Sequence, residues 1–137
     1  MTSSCGRAEG TAASKGRLEI RNLTRETVIA RRVEVADRSA ARNKGLLGRR
    51  SLAPDEGMWI APCEAVHTLF MRFPIDLIYL DRGRRVKKIR SNLPPWRISG
   101  CFSAHSVLEL AAGAIGRSGT QPGDTLQFFP AELENER

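Results

Sequence analysis

Hydrophobic and polar residues alternate in several short stretches of the chain, and many of the hydrophobic ones are β-branched. In 17–23 and 26–37 this alternation predicts two strands joined by a turn at 24–25. Further strands are predicted at 58–61, 74–81, 84–90, 106–111 and 125–129. The spacing of apolar residues predicts one short helix over about 39–47, and 112–118 permits a second helical turn. The expected fold class is therefore mainly β, a compact sandwich or barrel of about seven short strands.

The length of 137 residues is that of a single domain with its own hydrophobic core. Residues 17–130 carry the predicted elements, so we expect 1–16 to be a flexible N-terminal tail and 131–137 a polar C-terminal tail. No stretch approaches the length of a membrane-spanning segment, and the first residues lack the features of a secretory signal. We therefore expect a cytoplasmic protein with reduced cysteines.

Positive charge dominates the chain, with a formal net charge of +7 at pH 7. Residues 31–50 carry seven Arg or Lys residues and two acids, and residues 81–100 carry seven and one. Such basic segments make nucleic-acid binding one alternative function. Proteins that bind nucleic acid usually place aromatic side chains among the charges, and here only Trp96 lies inside a basic segment. A solvated basic face is the competing interpretation.

Five sequence motifs occur in an order that resembles one known family. They are GLLGRRSL, GMWI, FMRFPIDLIYLDRGRRVKKI, SVLELAAG and GTQPGDTLQF. Together they resemble the bacterial and archaeal family called domain of unknown function 192, over about residues 18–129. The resemblance implies a compact, mainly β domain and no particular biochemical function. The positions that match the family pattern are Gly45, Leu46, Gly57, Met58, Met71, Asp76, Asp81, Glu109, Gly113, Gly123 and Asp124.

Both histidines follow a cysteine at the same spacing, in Cys63-x-x-x-His67 and Cys101-x-x-x-His105. Two thiolates and two imidazoles can bind one tetrahedral zinc ion, so these units form a candidate metal site. Met71, four residues after His67, would extend the first unit into a softer, copper-like set of ligands. The spacing differs from the usual zinc-finger patterns, and the competing interpretation is a cysteine that packs as a small hydrophobic residue. No other cofactor is expected.

Two acids, Asp76 and Glu109, each lie between two apolar residues of a predicted strand. An acid in such a position either faces solvent or is buried with a partner, such as an arginine or backbone N–H groups. Two facing carboxylates could also perform acid–base chemistry. Because both acids match the family pattern, we expect them to share a binding or structural role.

The dipeptide Trp96-Arg97 follows two prolines, which restrict the conformation of the loop. An indole and a guanidinium held on such a loop can bind an anionic ligand by stacking and by charge. A tryptophan that covers the hydrophobic core is the competing interpretation. The chain contains no Gly-rich phosphate loop and no Gly-x-Ser-x-Gly motif, so a binding function is favoured over an enzymatic one.

We therefore predict a small β-rich ligand-binding or accessory domain whose site is formed by 63–76 and the 94–97 loop. No catalytic residue is assigned, and the expected partner is a small anionic ligand or another protein. The candidate ligand-binding residues are His67, Arg72, Asp76, Trp96, Arg97 and Glu109. The alternatives are zinc binding by the two Cys-x-x-x-His units and nucleic-acid binding through 31–50 and 81–100.

Overall fold

The computed structural model of the protein describes residues 17–36 and 49–131, together with the backbone of 2–3. The helix predicted at about 39–47 lies outside the described residues, as does most of the predicted N-terminal tail. No helix among the described residues is long and apolar enough to cross a membrane.

Ten strands and one short helix make up the described part of the chain. In chain order they are β1 Thr2–Ser3, β2 Arg17–Asn22, β3 Thr27–Ala36, β4 Glu56–Ile60, β5 Ala65–His67, β6 Ile75–Leu80, β7 Val86–Leu93, β8 Ile98–Gly100, β9 Ser106–Ala111, α1 Ala114–Ser118 and β10 Leu126–Pro130. Seven strands form one sheet in the order β10-β2-β3-β4-β9-β6-β7, and the other three form a small sheet in the order β1-β5-β8. In the large sheet only β3 and β4 run parallel.

The mainly β fold class is confirmed, and all seven predicted strands are present in the large sheet. The helical turn permitted at 112–118 is also present, as α1. The sequence did not predict β5 and β8, because each has only three residues and shows no alternation long enough to recognise.

The large sheet is curled, and its two edge strands meet at one end. Arg85 and Thr125 form an isolated bridge between them. The N–H of Val86 donates to the carbonyl of Asp124 at 2.8 Å, and the N–H of Leu126 donates to the carbonyl of Arg84 at 2.9 Å. These bonds join the start of β7 to the start of β10, so the sheet forms a half-barrel with an apolar interior.

Strands β6 and β9 are buried along all six of their residues because both faces of the sheet are covered there. On one face, Ile78, Leu80 and Leu108 pack inside the half-barrel. On the other face, Leu77 and Tyr79 pack in a second core, which also contains residues of the small sheet. We call the β5–β8 pair the cover layer and the apolar space beneath it the covered core.

The buried Asp76 carboxylate connects three elements of the fold. One carboxylate oxygen accepts the N–H of Asn92 near the end of β7, at 2.8 Å. The other oxygen accepts the N–H groups of Gly113 and Ile115 at the start of α1, at 3.1 and 2.9 Å. Asp76 is 1% exposed, so three backbone donors replace the water that its charge has lost.

We expect Asp76→Ala to lower the free energy of unfolding by about 3 kcal/mol or more, because hydrogen bonds to a buried charge are among the strongest in proteins. Urea unfolding measures the change. Asp81→Ala is the matched control, since the Asp81 carboxylate also accepts two backbone N–H groups, from Gly83 and Arg85, but does so in an exposed turn. A loss at Asp81 as large as the loss at Asp76 would contradict the role given to burial.

Candidate functional site

The cover layer has an inner face in contact with the covered core and an outer face in contact with solvent. Val66 pairs with Ser99, and both side chains are buried. The Tyr79 hydroxyl donates to the Ser99 hydroxyl at 3.1 Å, which attaches the layer to the large sheet. His67 pairs with Ile98 on the outer face, where Ile98 is 72% exposed. The cover layer therefore has the bonded hydroxyl groups of Tyr79 and Ser99 on its buried side and the apolar side chain of Ile98 on its exposed side.

A single buried residue, Thr68, fixes the loop that follows β7 against the loop that follows β5. Its hydroxyl donates to the carbonyl of Pro94 at 2.8 Å and accepts the N–H of Arg97 at 2.9 Å. Its backbone carbonyl accepts the N–H groups of Trp96 and Met71, at 2.9 and 3.1 Å, and its own N–H donates to the carbonyl of Arg97 at 2.8 Å. These bonds determine where the residues on both loops are placed.

The loops present two exposed aromatic rings side by side. Phe70 is 64% exposed and Trp96 is 54% exposed, and their ring centroids are 4.6 Å apart. Both residues have left-handed backbone, with φ of 70° for Phe70 and 65° for Trp96. Such backbone costs a residue other than glycine about 1–2 kcal/mol. We call this pair the aromatic ledge. The fold thus accepts backbone strain while leaving the two rings in water.

Arginine side chains lie next to the ledge. Arg97 follows Trp96 directly, and its guanidinium donates to the carbonyl oxygens of Pro95 and Trp96, each at 3.4 Å. Arg72 is exposed on the loop that carries Phe70. The Arg97 guanidinium is thus held at the loop that carries Trp96, and the binding role of this pair stays a prediction.

The imidazole of His67 lies on the same outer face. Its Nδ1 accepts the N–H of Leu69 at 3.3 Å, and partial burial lowers its pKa below the ordinary histidine value. The ring is therefore neutral at pH 7 and does not add to the positive charge of the ledge. Of the predicted ligand-binding residues, His67 lies on β5, and Arg72, Trp96 and Arg97 lie on the two loops that Thr68 joins.

The other two predicted binding residues, Asp76 and Glu109, are inside the domain and do not reach this surface. Asp76 has the three backbone partners described above. Glu109 pairs with Met58 on β4 and with Leu77 on β6, and its side chain is fully buried. Neither carboxyl oxygen of Glu109 has a hydrogen-bond partner among the described residues. Burial raises the pKa of Glu109 to about 8, so the group is protonated at neutral pH.

The two Cys-x-x-x-His units lie side by side, on β5 and on the loops next to β5 and β8. The N–H of Cys63 donates to the carbonyl of His105 at 3.0 Å, and the imidazole of His105 lies 6.5 Å from the ring of Trp59. His67 is at the far end of β5, beside Ile98. No group of three or more His, Cys, Asp or Glu residues in the described part of the chain could hold a metal ion. Zinc binding therefore stays a prediction from the sequence.

The cysteines of the folded region differ in their chemical state. Cys63 is buried and disulfide-bonded, whereas Cys101 carries a free thiol and is partly exposed. The expectation that the cysteines are reduced is therefore wrong for Cys63. Its sulfur can serve as a thiolate ligand only after that disulfide is reduced.

Comparison with known proteins places the chain in a family. Residues 20–128 match the family DUF192, described as Uncharacterized ACR. The chain belongs to this family. It is 31% identical over 127 residues to a UPF0127 protein of Thermococcus sibiricus, covering 85% of this chain and 76% of the relative. The resemblance inferred from the five motifs is thereby confirmed, and the family carries no specific function.

Two crystal structures of other proteins share the fold. One, from Sinorhizobium meliloti 1021, is described as a candidate transcription regulator; it has a TM-score of 0.73 and 27% identity, covering 88% of this chain and 98% of that one. The other, from Novosphingobium aromaticivorans, is a protein of unknown function with a TM-score of 0.71 and 24% identity. The match covers 90% of this chain and 94% of the other protein, and at this level of identity it shows the fold alone.

The sequence did not indicate Phe70 or Thr68 as site residues. A phenylalanine between Leu69 and Met71 reads as part of a core strand, and a single threonine carries no signal of its own. Their roles depend on bonds from Thr68 to residues 26 and 29 positions away in the chain. The ledge is recognisable only when Phe70 is known to lie next to Trp96 in space, and the sequence does not show this.

The strain at the ledge can be tested by comparing glycine with alanine at one position. We expect Trp96→Gly to unfold at a higher free energy than Trp96→Ala, by about 1 kcal/mol, because glycine adopts positive φ without penalty. Arg90, an exposed strand residue, is the control. There we expect the opposite order, with Arg90→Gly less stable than Arg90→Ala, since glycine weakens a strand. If the glycine and alanine variants ranked in the same order of stability at both positions, strain at Trp96 would be contradicted.

The buried acid makes stability depend on pH in a defined direction. The folded-state pKa of Glu109 lies above the usual glutamate value, so its destabilising effect is absent below about pH 4.5, grows between about pH 4.5 and 8, and is constant above that. We expect Glu109→Gln to raise the free energy of unfolding at pH 7 by about 3 kcal/mol and to have little effect at pH 4.5. Urea unfolding across this range measures it. An equal effect at both pH values would contradict the raised pKa.

Proposed function

We propose that the domain is a binding module that takes an anionic ligand with a flat apolar part on the aromatic ledge. The observation that carries the proposal is the exposed Phe70–Trp96 pair: both residues have positive φ, and Thr68 bonds their loops through the N–H groups of Trp96 and Met71. Strained backbone at an exposed site is typical of functional surfaces, because stability alone would favour relaxing it. Large aromatic side chains are also the residues that contribute most at binding surfaces.

The charge next to the ledge defines the ligand further. Arg97 and Arg72 are exposed beside the two rings, and no ion pair among the described residues uses either guanidinium. An arginine binds carboxylate or phosphate oxygens through two parallel hydrogen bonds. A ligand with a flat ring and a nearby acid group would therefore stack on the aromatic ledge and bind the arginine guanidinium groups at the same time.

The location of the protein in the cell stays a prediction from the sequence. The predicted location is cytoplasmic, whereas a disulfide such as that of Cys63 is typical of oxidising compartments. Cell fractionation of the native protein tests this point directly.

Adenosine monophosphate is a suitable probe because it joins a flat ring to a phosphate. We expect it to shift the indole N–H resonance of Trp96 while leaving that of Trp59, which packs on Phe128 at 5.0 Å, unchanged. Inorganic phosphate and adenosine alone should each bind more weakly. Removal of the neighbouring ring by Phe70→Ala should weaken binding about tenfold, since stacking contributes about 1–3 kcal/mol per base. The two-dimensional NMR titration measures both effects.

The control for this titration is Phe102→Ala. Phe102 is 89% exposed, so its removal tests whether any exposed aromatic ring contributes to binding of adenosine monophosphate. We expect it to leave the affinity for adenosine monophosphate unchanged. Equal shifts at both indoles, or an affinity indifferent to Phe70→Ala, would overturn the proposed site.

A further inference from the structure

Four positive charges lie near the ledge, and Glu64 is an acid at their far end, where its carboxylate accepts the N–H of Ser103 at 3.1 Å. Residues 86–103 contain four basic residues and no Asp or Glu. We call Lys87, Lys88, Arg90 and Arg97 the basic strip. Among the described residues, no ion pair uses a cation from 82–100. The cations are therefore available to an anionic partner.

The other basic segment behaves differently. Within its described part, Arg31 lies 3.6 Å from Glu19, Arg32 lies 3.0 Å from Asp55, and Arg49 lies 3.5 Å from Glu56. These arginines are paired locally, whereas the cations of 86–103 form no ion pair among the described residues. Of the two segments predicted to bind nucleic acid, the structure thus favours the second.

The basic strip runs from the ledge along the side of the cover layer. The ammonium of Lys88 donates to the carbonyl of Gly100 at 2.6 Å, and that of Lys87 donates to the hydroxyl of Ser103 at 3.2 Å. Gly100 ends β8, and Trp96 precedes the same strand by two residues. Because a strand rises about 3.3 Å per residue, the lysines lie roughly 10 Å or more beyond the ledge. A single small anion cannot contact both places.

We propose that the ledge and the basic strip together bind a single-stranded nucleic acid, with bases stacked on Phe70 and Trp96 and successive phosphates along the strip. This inference rests on the proposed function and names its ligand. Binding without sequence preference commonly combines aromatic platforms for the bases with a positive groove that follows the backbone. Stacking on exposed rings requires bases that are not already stacked in a duplex, so single strands are favoured over double strands.

The position of Arg97 favours nucleic acid over an anionic membrane. Its guanidinium is bonded to the carbonyl of Trp96, so the charge is held at the loop that carries the indole. A nucleotide presents its phosphate beside its base, which matches that arrangement. A peripheral membrane protein instead inserts apolar side chains below the level of the charged headgroups.

The test compares fluorescein-labelled twelve-residue oligothymidylate with a twelve-base-pair duplex, phosphatidylserine vesicles and adenosine monophosphate, using the full chain. We expect the single strand to bind at least tenfold more tightly than either the duplex or the mononucleotide. With about four phosphate contacts, the slope of log Kobs against log salt concentration should be about −3 for a single strand. Anisotropy at 50 to 200 mM salt measures both quantities.

Two sets of variants separate stacking from charge. Phe70→Ala should weaken binding of the single strand about tenfold without changing the salt slope, and the double variant Lys87→Gln/Lys88→Gln should reduce the slope by about 1.4. The double variant should leave adenosine monophosphate binding unchanged. The matched control, Arg31→Gln/Arg49→Gln, removes two charges that are already paired and should change neither quantity.

The outcomes distinguish this inference from the proposed function. If adenosine monophosphate binds the ledge but the oligonucleotide binds no more tightly, the nucleic-acid inference is overturned and the proposed function stands. If neither binds, both are overturned. Tighter binding to duplex or to vesicles than to the single strand also overturns the inference and identifies a different anionic partner.

Discussion

The described fold depends on the burial of one charge with its hydrogen bonds satisfied. Asp76 lies on β6, the strand between β9 and β7 in the large sheet. Its carboxylate accepts N–H groups from β7 and from the start of α1, and those donors belong to residues 16 to 39 positions away. Because a buried carboxylate without donors is strongly unfavourable, these segments must assemble around it together. The half-barrel and the surface that supports the cover layer both follow from this arrangement.

In the cover layer, too, one buried polar residue with satisfied hydrogen bonds joins separate segments of the chain, and here it positions the candidate binding surface. Thr68 is buried and bonds to both loops, so its contacts compensate for the left-handed backbone of Phe70 and Trp96. Without such contacts, the rings would be free to relax and to pack against apolar neighbours. The bonds of Thr68 therefore hold the two loops, and with them the two exposed rings, in one arrangement. Rigid placement lowers the entropy that a ligand must remove on binding, which favours affinity for flat ligands.

The sequence predicted the large sheet well because its strands are long enough to show their pattern. The bounds of β9 agree residue for residue with the predicted 106–111, since a strand buried on both faces reads as an apolar run between turn residues. Local pattern could not separate Asp76 from Glu109, which stand in similar apolar surroundings in sequence. One has three donors and the other has none, and that difference arises from segments distant in the chain. The ledge escaped prediction for the same reason.

The protonation of Glu109 also bears on the charge of the surface above it. An ionised carboxylate under the cover layer would weaken the positive potential of the basic strip, because interactions through the low-dielectric interior are poorly screened. Burial holds the pKa of Glu109 at about 8, so the group is neutral at pH 7 and adds no negative charge there. Asp76, the other buried acid of the site region, is directed at N–H groups that offset its charge. Glu109 therefore adds no negative charge that would oppose an anionic ligand at the basic strip.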